Sequence, residues 1–485
     1  MNFYSKGESY VNTKSKAKFS VVDDQRSPWL TIVMLAWPIL IEQILTSLAQ
    51  AVDTAMVGSL GAIATASVSI SSSPNMLING VIMALGVGFT SMIARSVGAG
   101  DHDRARELVR QAILTITALG IPMTILLFCL ARYIPMWMGG APEILDTAET
   151  YNRIFACSTL FRCLTMVLTS IYRGYGDSKT PMKINIMVNV LNVIGNFLMI
   201  FPTRTLTVFG ISFTMFGFGW GVAGAAIATS LSATIGCLFL LVRCFTVDND
   251  MRISIHDSFA PNWEELRIVF RLGLPAMIQR FAMSSASIIV TSTIATLGTV
   301  AVAAQSLAMT AESLSFMPGF AFGTAVTTLF GQSLGARRED KAHDFLFKTI
   351  ALGAVVMAFM TCVLFFGSAF IMGIFTPDAD VIRHGSVLLK ILAVIQIPQM
   401  IAFCVSGALQ GAGDTKTPLY ITMISMWGVR VLGCIIFVRI LGFGLYTVCI
   451  CMCTDNVVRC ILNLIAYKSG RWKSIAAKAS TKRKA

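Results

Sequence analysis

The chain has 485 residues, of which 55% are hydrophobic and only 13% charged, with a mean hydropathy of +0.72. Too little polar surface is left to cover a water-soluble globule of this size, so lipid must solvate most of the chain. The formal net charge of +13 would suit a nucleic-acid binder, but the basic residues are spread over alternate loops and both tails, so no nucleic-acid partner is expected.

Residues 1–28 are polar, carry Lys6, Lys14, Lys16, Lys18 and Arg26, and lack the apolar core and small-residue cleavage site of a signal peptide. They read as a cytoplasmic tail. From Trp29 to Tyr467, twelve apolar runs follow, each near the ~20 residues that a spanning helix needs. Residues 29–244 hold spans 1–6, residues 245–263 form a cytoplasmic linker, residues 264–467 hold spans 7–12, and residues 468–485 are a basic tail facing anionic headgroups. The Lys and Arg concentrate in loops on the side of the two tails, which the positive-inside rule makes cytoplasmic.

Span 1 contains Glu42 and Asp53. An ionisable group within a span costs roughly 2.5–3.5 kcal/mol on insertion scales, so it calls for a partner or a wet cavity. The two acids lie about three helical turns apart and can share one face. A carboxylate there can hold a proton or a metal cation; the plainer alternative for Asp53 is service at the helix end near Gly58.

Span 4 carries Arg162. The loop after it, Gly176-Asp177-Ser178-Lys179-Thr180-Pro181, lacks the spacing of a phosphate loop and reads as a turn at Gly176, a Thr180 cap and Pro181 at the first helical position. In span 5, Asn185, Asn189, Asn192 and Asn196 recur on one stripe. Four amides can coordinate a cation or hydrogen-bond a carboxylate, or simply hold helices together at roughly 1 kcal/mol per bond.

In the second half, spans 7, 8 and 11 contain Arg280, Glu312 and Arg430, and span 12 contains Asp455 with Arg459. The last two, one turn apart, form a neutralised structural couple. Glu312 is alone in its span, with Arg280 or Arg430 as candidate partners. The twelve Cys lie mostly in apolar runs, where a thiol is a small hydrophobe. Alternate Cys449, Cys451 and Cys453 point to nearly opposite helix faces, a poor metal site. The four His sit in loops or span ends and no H-E-x-x-H occurs, so an intramembrane enzyme ranks last and no cofactor is expected.

A shift of 237 residues lays the second half on the first without a gap: Pro38 on Pro275, Gly86 on Gly323, Gly98-Ala99 on Gly335-Ala336, and the Gly176–Pro181 loop on Gly413–Pro418. Because each half has an even number of spans, these are parallel repeats, an arrangement that places a substrate site between the halves near the bilayer midplane. Glu42 and Asp53 fall on Gln279 and Val290. Only the first half keeps its acids, so a coupling site belongs there.

Trp37-Pro38, Val52-Asp53-Thr54-Ala55-Met56-Val57-Gly58, the run Glu312-Ser313-Leu314-Ser315-Phe316-Met317-Pro318-Gly319, the two Gly-Asp-(Ser/Thr)-Lys-Thr-Pro loops and Gly221-Val222-Ala223-Gly224-Ala225-Ala226 together resemble the multidrug and toxic compound extrusion (MATE) transporters, over nearly the whole chain. The resemblance implies an all-α polytopic membrane protein, twelve transmembrane helices in two pseudo-symmetric six-helix bundles forming a V. Such a protein, monomeric and in the bacterial plasma membrane, exports small cationic or amphipathic compounds against H+ or Na+. It further implies coupling at Asp53 with Asn192, Asn196 and Thr229, of which Asp53, Asn192 and Asn196 would be the Na+ ligands. Asn196 stands where relatives often carry Asp. Met283 stands where one branch places a Glu, so a second-half cation site of that type is not expected. The alternative within transport is a flippase for a lipid-linked saccharide on a related fold.

Overall fold

A computed structural model describes residues 26–208, 211–246, 251–254, 256–258 and 260–481, with backbone alone at 72–77, 206–208, 211–213 and 478–481. Most of the predicted N-terminal tail and parts of the linker and C-terminal tail therefore lie outside the described residues.

The first half runs α1 (Pro28–Gly58), α2 (Ala62–Gly98), α3 (His102–Leu130), α4 (Tyr133–Trp137), α5 (Pro142–Cys157), α6 (Thr159–Tyr175), α7 (Lys179–Ile200) and α8 (Gly221–Thr246). The second half repeats it as α9 (Trp263–Ala295), α10 (Thr299–Gly335), α11 (Glu339–Phe366), α12 (Ser368–Phe375), α13 (Ala379–Ala393), α14 (Gln396–Gly411), α15 (Lys416–Thr422) and α16 (Leu445–Lys468), followed by α17 (Arg471–Thr481). Among the described residues, nine helices are long and apolar enough to cross a membrane, and eleven if the two bent pairs α5–α6 and α13–α14, each broken by 49°, count as single spans. Outside that set, α9 is 33 residues long, carries Gln279 and Arg280, and fills in the second half the place that α1 has in the first. The two bends occupy equivalent places in the halves, so the kink is part of the duplicated design.

Local chemistry explains the ends. Asp101, Asn262 and Asp378 cap α3, α9 and α13, accepting backbone N–H bonds with their side chains, which satisfies donors the helix cannot. In the repeated loop, Gly176 and Gly413 adopt φ of +90° and +79°, and the acceptors are Asp177 and Asp414. Their carboxylates take the N–H of Thr180 and Thr417 at 3.0 and 3.1 Å, while those threonine hydroxyls donate back at 2.6 Å. The threonine cap expected from sequence is thus an aspartate cap, and Pro181 and Pro418 sit two residues into their helices.

Three elements were not foreseen. Between α7 and α8 lies an antiparallel hairpin, β1 (Pro202–Val208) and β2 (Ile211–Phe218). Its alternating Thr, Phe and Ile carry a strand signal that the twelve-helix pattern overshadowed. After Thr422, span 11 continues as π-helix over Met423–Val431 and again over Cys434–Ile440. The C-terminal tail forms α17, docked by Trp472, which is buried against Phe330, His343 and Tyr467.

Each half has its own core: Phe89, Leu108, Leu168 and Tyr172 in the first, and Ala308, Leu388, Leu392 and Val448 in the second. A further cluster joins them, packing Ile32, Leu35 and Ala36 of α1 on Phe322, Val326 and Met400. The halves cross where α2 and α10 approach the end bearing the Lys/Arg-rich loops. There a Cβ on Gly98 would strike the carbonyl of Gln332, and one on Gly335 the carbonyl of Arg95. Close backbone approach of this kind is how lipid-embedded helices gain dispersion energy.

The bonds across this crossing are related by the duplication itself. Arg95 donates to the carbonyl of Gly411 at 3.1 Å, and Gln332 to the carbonyl of Gly174 at 2.8 Å. Ser91 donates to Gly411 and Thr328 to Arg173. A bidentate Arg104–Glu265 pair, at 2.8 and 2.9 Å, ties α3 to α9 at the same end. Replacing Gly335 by Val is expected to prise the crossing apart, since bonds worth roughly 1 kcal/mol each lose their geometry. Hydrogen exchange should then quicken at the ends of both α2 and α10; unchanged exchange there would mean the crossing does not hold the halves.

Candidate functional site

Asp53 lies half-buried near the far end of α1. Asn196 of α7 donates its amide to Asp53 Oδ1 at 2.5 Å and also reaches Asn192 Oδ1 at 3.4 Å, and Asn192 donates to Thr229 Oγ1 of α8 at 3.0 Å. The result is a hydrogen-bonded relay across three helices, buried at Asn196 and Asn192. Thus the structure brings together Asp53, Asn192, Asn196 and Thr229.

The arrangement has acceptor capacity to spare. Among the described residues, Asn196 Oδ1 is buried with no hydrogen-bond partner, and an ionised carboxylate offers about four lone-pair sites, of which those residues use only one at Asp53. An all-oxygen set of carboxylate, amides and hydroxyl is hard-ligand chemistry. It fits a proton on Asp53 or a small hard cation such as Na+ between Asp53, Asn192 and Asn196. Among the described residues, no group of three or more His, Cys, Asp or Glu that could hold a metal ion occurs.

Sequence reasoning missed Tyr151 of α5, which packs on the apolar cluster that contains Met56 and Val57 of α1 and stacks on Phe155. Arg162 lies over the other aromatic neighbour, its guanidinium 4.0 Å from the Phe155 ring centre. No linear spacing connects α1 to α5, so only the fold reveals this wall of the site.

The asparagine stripe divides. Asn189 donates to Asn185 at 2.9 Å, and Thr46 of α1 joins Asn185 at 3.3 Å, one level nearer the Lys/Arg-rich end. Glu42, also buried, is placed away from Asp53: it pairs with Arg173 of α6 at 2.7 Å. The carbonyl of that same Arg173 accepts the Thr328 bond from the other half, so Glu42 is attached to the crossing.

In the second half, Arg430 on the π-helical segment pairs with Asp455 at 2.7 Å, and Arg459 binds both oxygens of Asp455 at 3.0 Å while reaching Ser425 at 3.2 Å. Asp455 is fully buried. Glu312 is only 5% exposed and makes no hydrogen bond or ion pair among the described residues. Arg280 faces open space beside Gly80 of α2, and its neighbour Gln279 bonds Thr422 at 2.7 Å. Met283 is packed against the apolar core of this half.

Two homologous stretches, residues 38–198 and 275–436, match MatE. The chain belongs to the MatE family. As a MATE protein, it is 28% identical over 447 residues to a probable multidrug resistance protein NorM of Thermotoga maritima, covering 92% of this chain and 93% of that one. It is 26% identical to the multidrug resistance protein MdtK of Edwardsiella ictaluri, covering 82% and 85%. Among solved structures, a MOP superfamily transporter from Pyrococcus furiosus, described as having a binding pocket of reverse polarity, superimposes with a TM-score of 0.83 at 25% identity over 93% of this chain and 97% of that one. A MATE multidrug resistance transporter in an outward-facing conformation matches equally well, with the same score, identity and coverage. The MATE fold is therefore that of a twelve-helix membrane transporter, and these relatives do not favour the flippase alternative.

Proposed function

We propose that this MATE protein is a secondary antiporter that exports small cationic or amphipathic organic compounds in exchange for H+ or Na+, and that Asp53 loads the ion. The relay from Asp53 through Asn196 and Asn192 to Thr229 carries the reading. It ties an exchangeable charge on α1 to α7 and α8, so filling the site changes how three helices of one bundle attract one another.

The proposed orientation sets both termini and the Lys/Arg-rich loops in the cytoplasm. The crossing of α2 and α10 is then a closed cytoplasmic gate, so substrate release and ion entry take place from the opposite side. Glu42 and Arg173, one ion pair from the gate bonds, join the N-lobe interior to that gate. Coupling demands reciprocity: if the ion weakens substrate binding, the substrate weakens ion binding by the same factor.

The test is transport by the purified chain in proteoliposomes carrying an ethidium-like dye, with proton and sodium gradients imposed separately. Dye movement driven by one of the two gradients, and reversed when that gradient is reversed, is the expected result. Movement that ignores both gradients would sink the antiport reading.

A further inference from the structure

The duplication allows the two bundles to be compared helix by helix. In the first, α1, α7 and α8 surround Asp53 with amides and a hydroxyl. In the second, the equivalent helices are α9, span 11 and α16, and there the acid of the first helix is Val290. The interior charge comes instead from Arg430, Asp455 and Arg459, a closed set of one carboxylate between two guanidinium groups. Where the first bundle has room for a mobile cation, the second carries a tethered one.

That set holds one positive charge in excess, and the buried carboxylate nearest to balancing it is Glu312. Its place is unusual. Asp455 is gripped through both oxygens, whereas Glu312 is 5% exposed and bonds to nothing among the described residues; its chain neighbour Ala311 and Val431, the chain neighbour of Arg430, belong to one buried cluster. Arg430 Nε is itself buried with no hydrogen-bond partner among the described residues. A lone buried carboxylate in the neighbourhood of an arginine with a spare donor has two low-energy states: ionised and paired with that arginine, or neutral by taking a proton.

We propose that Glu312 is a second exchangeable proton site, with Arg430 as its tethered counter-ion, so that the second bundle responds to protons and not to sodium. Protonation forms one O–H bond on the Glu312 carboxylate, using a proton from water, and breaks none in the protein. Arg430 keeps all its protons. When Glu312 is neutral Arg430 rests on Asp455; when Glu312 is charged, Arg430 shifts toward it while Arg459 retains Asp455.

The π-helical backbone from Met423 to Val431 supplies the compliance, since such segments lie at functional positions in helices more often than chance. Sodium is excluded because, in the charged state, the Arg430 guanidinium takes the place beside Glu312 that a cation would need. The other groups around Glu312 are accounted for. On α16, the Cys449 thiol donates to Gln305 and the Cys453 thiol to the carbonyl of Ile391. From α14, Gln396 accepts from Ser315. On α13, His384 is held by Tyr446 and Lys390 lies over Phe365. On α9, Arg280 sits beside Gly80. On α1 and α6, Glu42 and Arg173 are joined to each other.

The inference rests on the exporter reading for its purpose but is tested without transport. The full chain in lipid nanodiscs is examined by infrared difference spectroscopy between acidic and alkaline buffer, reading the C=O stretch of protonated carboxyl groups. In Asp53→Asn, one carboxyl band, separated from those of the chain's other acids by subtracting the spectrum of the variant that also carries Glu312→Gln, should remain and be unaffected by sodium. Should that double variant fail to fold, Glu312→Asp in the same background must instead displace the band. A missing signal in Asp53→Asn, or one that survives loss of Glu312, overturns the proposal. In proteoliposomes Glu312→Gln should lower proton-driven dye efflux on the order of tenfold, with Glu312→Asp restoring it; equal rates would also overturn it. An absence of any gradient-driven efflux in the wild type would fault the exporter reading instead, leaving the infrared result to stand alone.

Discussion

Asp53→Asn is expected to leave a folded protein that still binds its substrate and no longer responds to the ion gradient. Asparagine is nearly the same size, and its Oδ1 can accept the amide of Asn196 as the carboxylate does, so the relay to Asn192 and Thr229 survives. What disappears is the unit of charge that comes and goes. If coupling between two sites is typically 1–3 kcal/mol, gradient-driven efflux should fall between about 5-fold and 150-fold. Substrate affinity measured on the same protein should also lose its dependence on the coupling ion. Both halves of that result are needed, because a slow but still gradient-dependent variant would indicate damage to packing, and full activity would remove Asp53 from the mechanism. Asn196→Ala serves as the contrast: it keeps the charge, loses the bond at Asp53, and should weaken ion binding without making the protein indifferent to the gradient.

How much of this was legible in the sequence depends on how local the signal is. The spans, the repeat and the presence of acids in only one half follow from residue type and spacing, because an apolar run and a charge within it each carry a cost that lipid enforces. The partners of those charges do not. Nothing in spacing tells that Glu42 goes to Arg173 rather than toward Asp53, or that Asn185 and Asn189 separate from Asn192 and Asn196. Both depend on how α1 sits against α6 and α7. Likewise, Asp455 and Arg459 were readable as a pair because they share one helix turn, but Arg430 reaches them from span 11 only along a π-helical backbone. The backbone departs there from the 3.6-residue period by which sequence faces are judged. The hairpin after α7 shows the converse, a local strand pattern overlooked because the surrounding pattern was so strongly helical.

Asp455→Asn should be the most damaging single substitution to the fold of the second bundle. Asp455 is fully buried and is the one carboxylate ion-paired to either Arg430 or Arg459 among the described residues. Neutralising it leaves two guanidinium groups facing each other in a medium that cannot hydrate them. Removing one member of a buried charged set costs about 3–5 kcal/mol, several times the effect expected at an exposed pair such as Arg338–Asp340. Thermal unfolding in detergent, followed by loss of monodisperse protein, should show the drop. The physical cause is identified by a companion variant in which Arg430, Asp455 and Arg459 are together replaced by Met, Leu and Met. Apolar substitution of a whole buried set is often neutral or stabilising, so this triple variant should recover most of the lost stability. It should not recover proton-driven transport if Glu312 needs Arg430 beside it, because stability follows from the absence of an unpaired charge while coupling follows from the presence of one that can change partners.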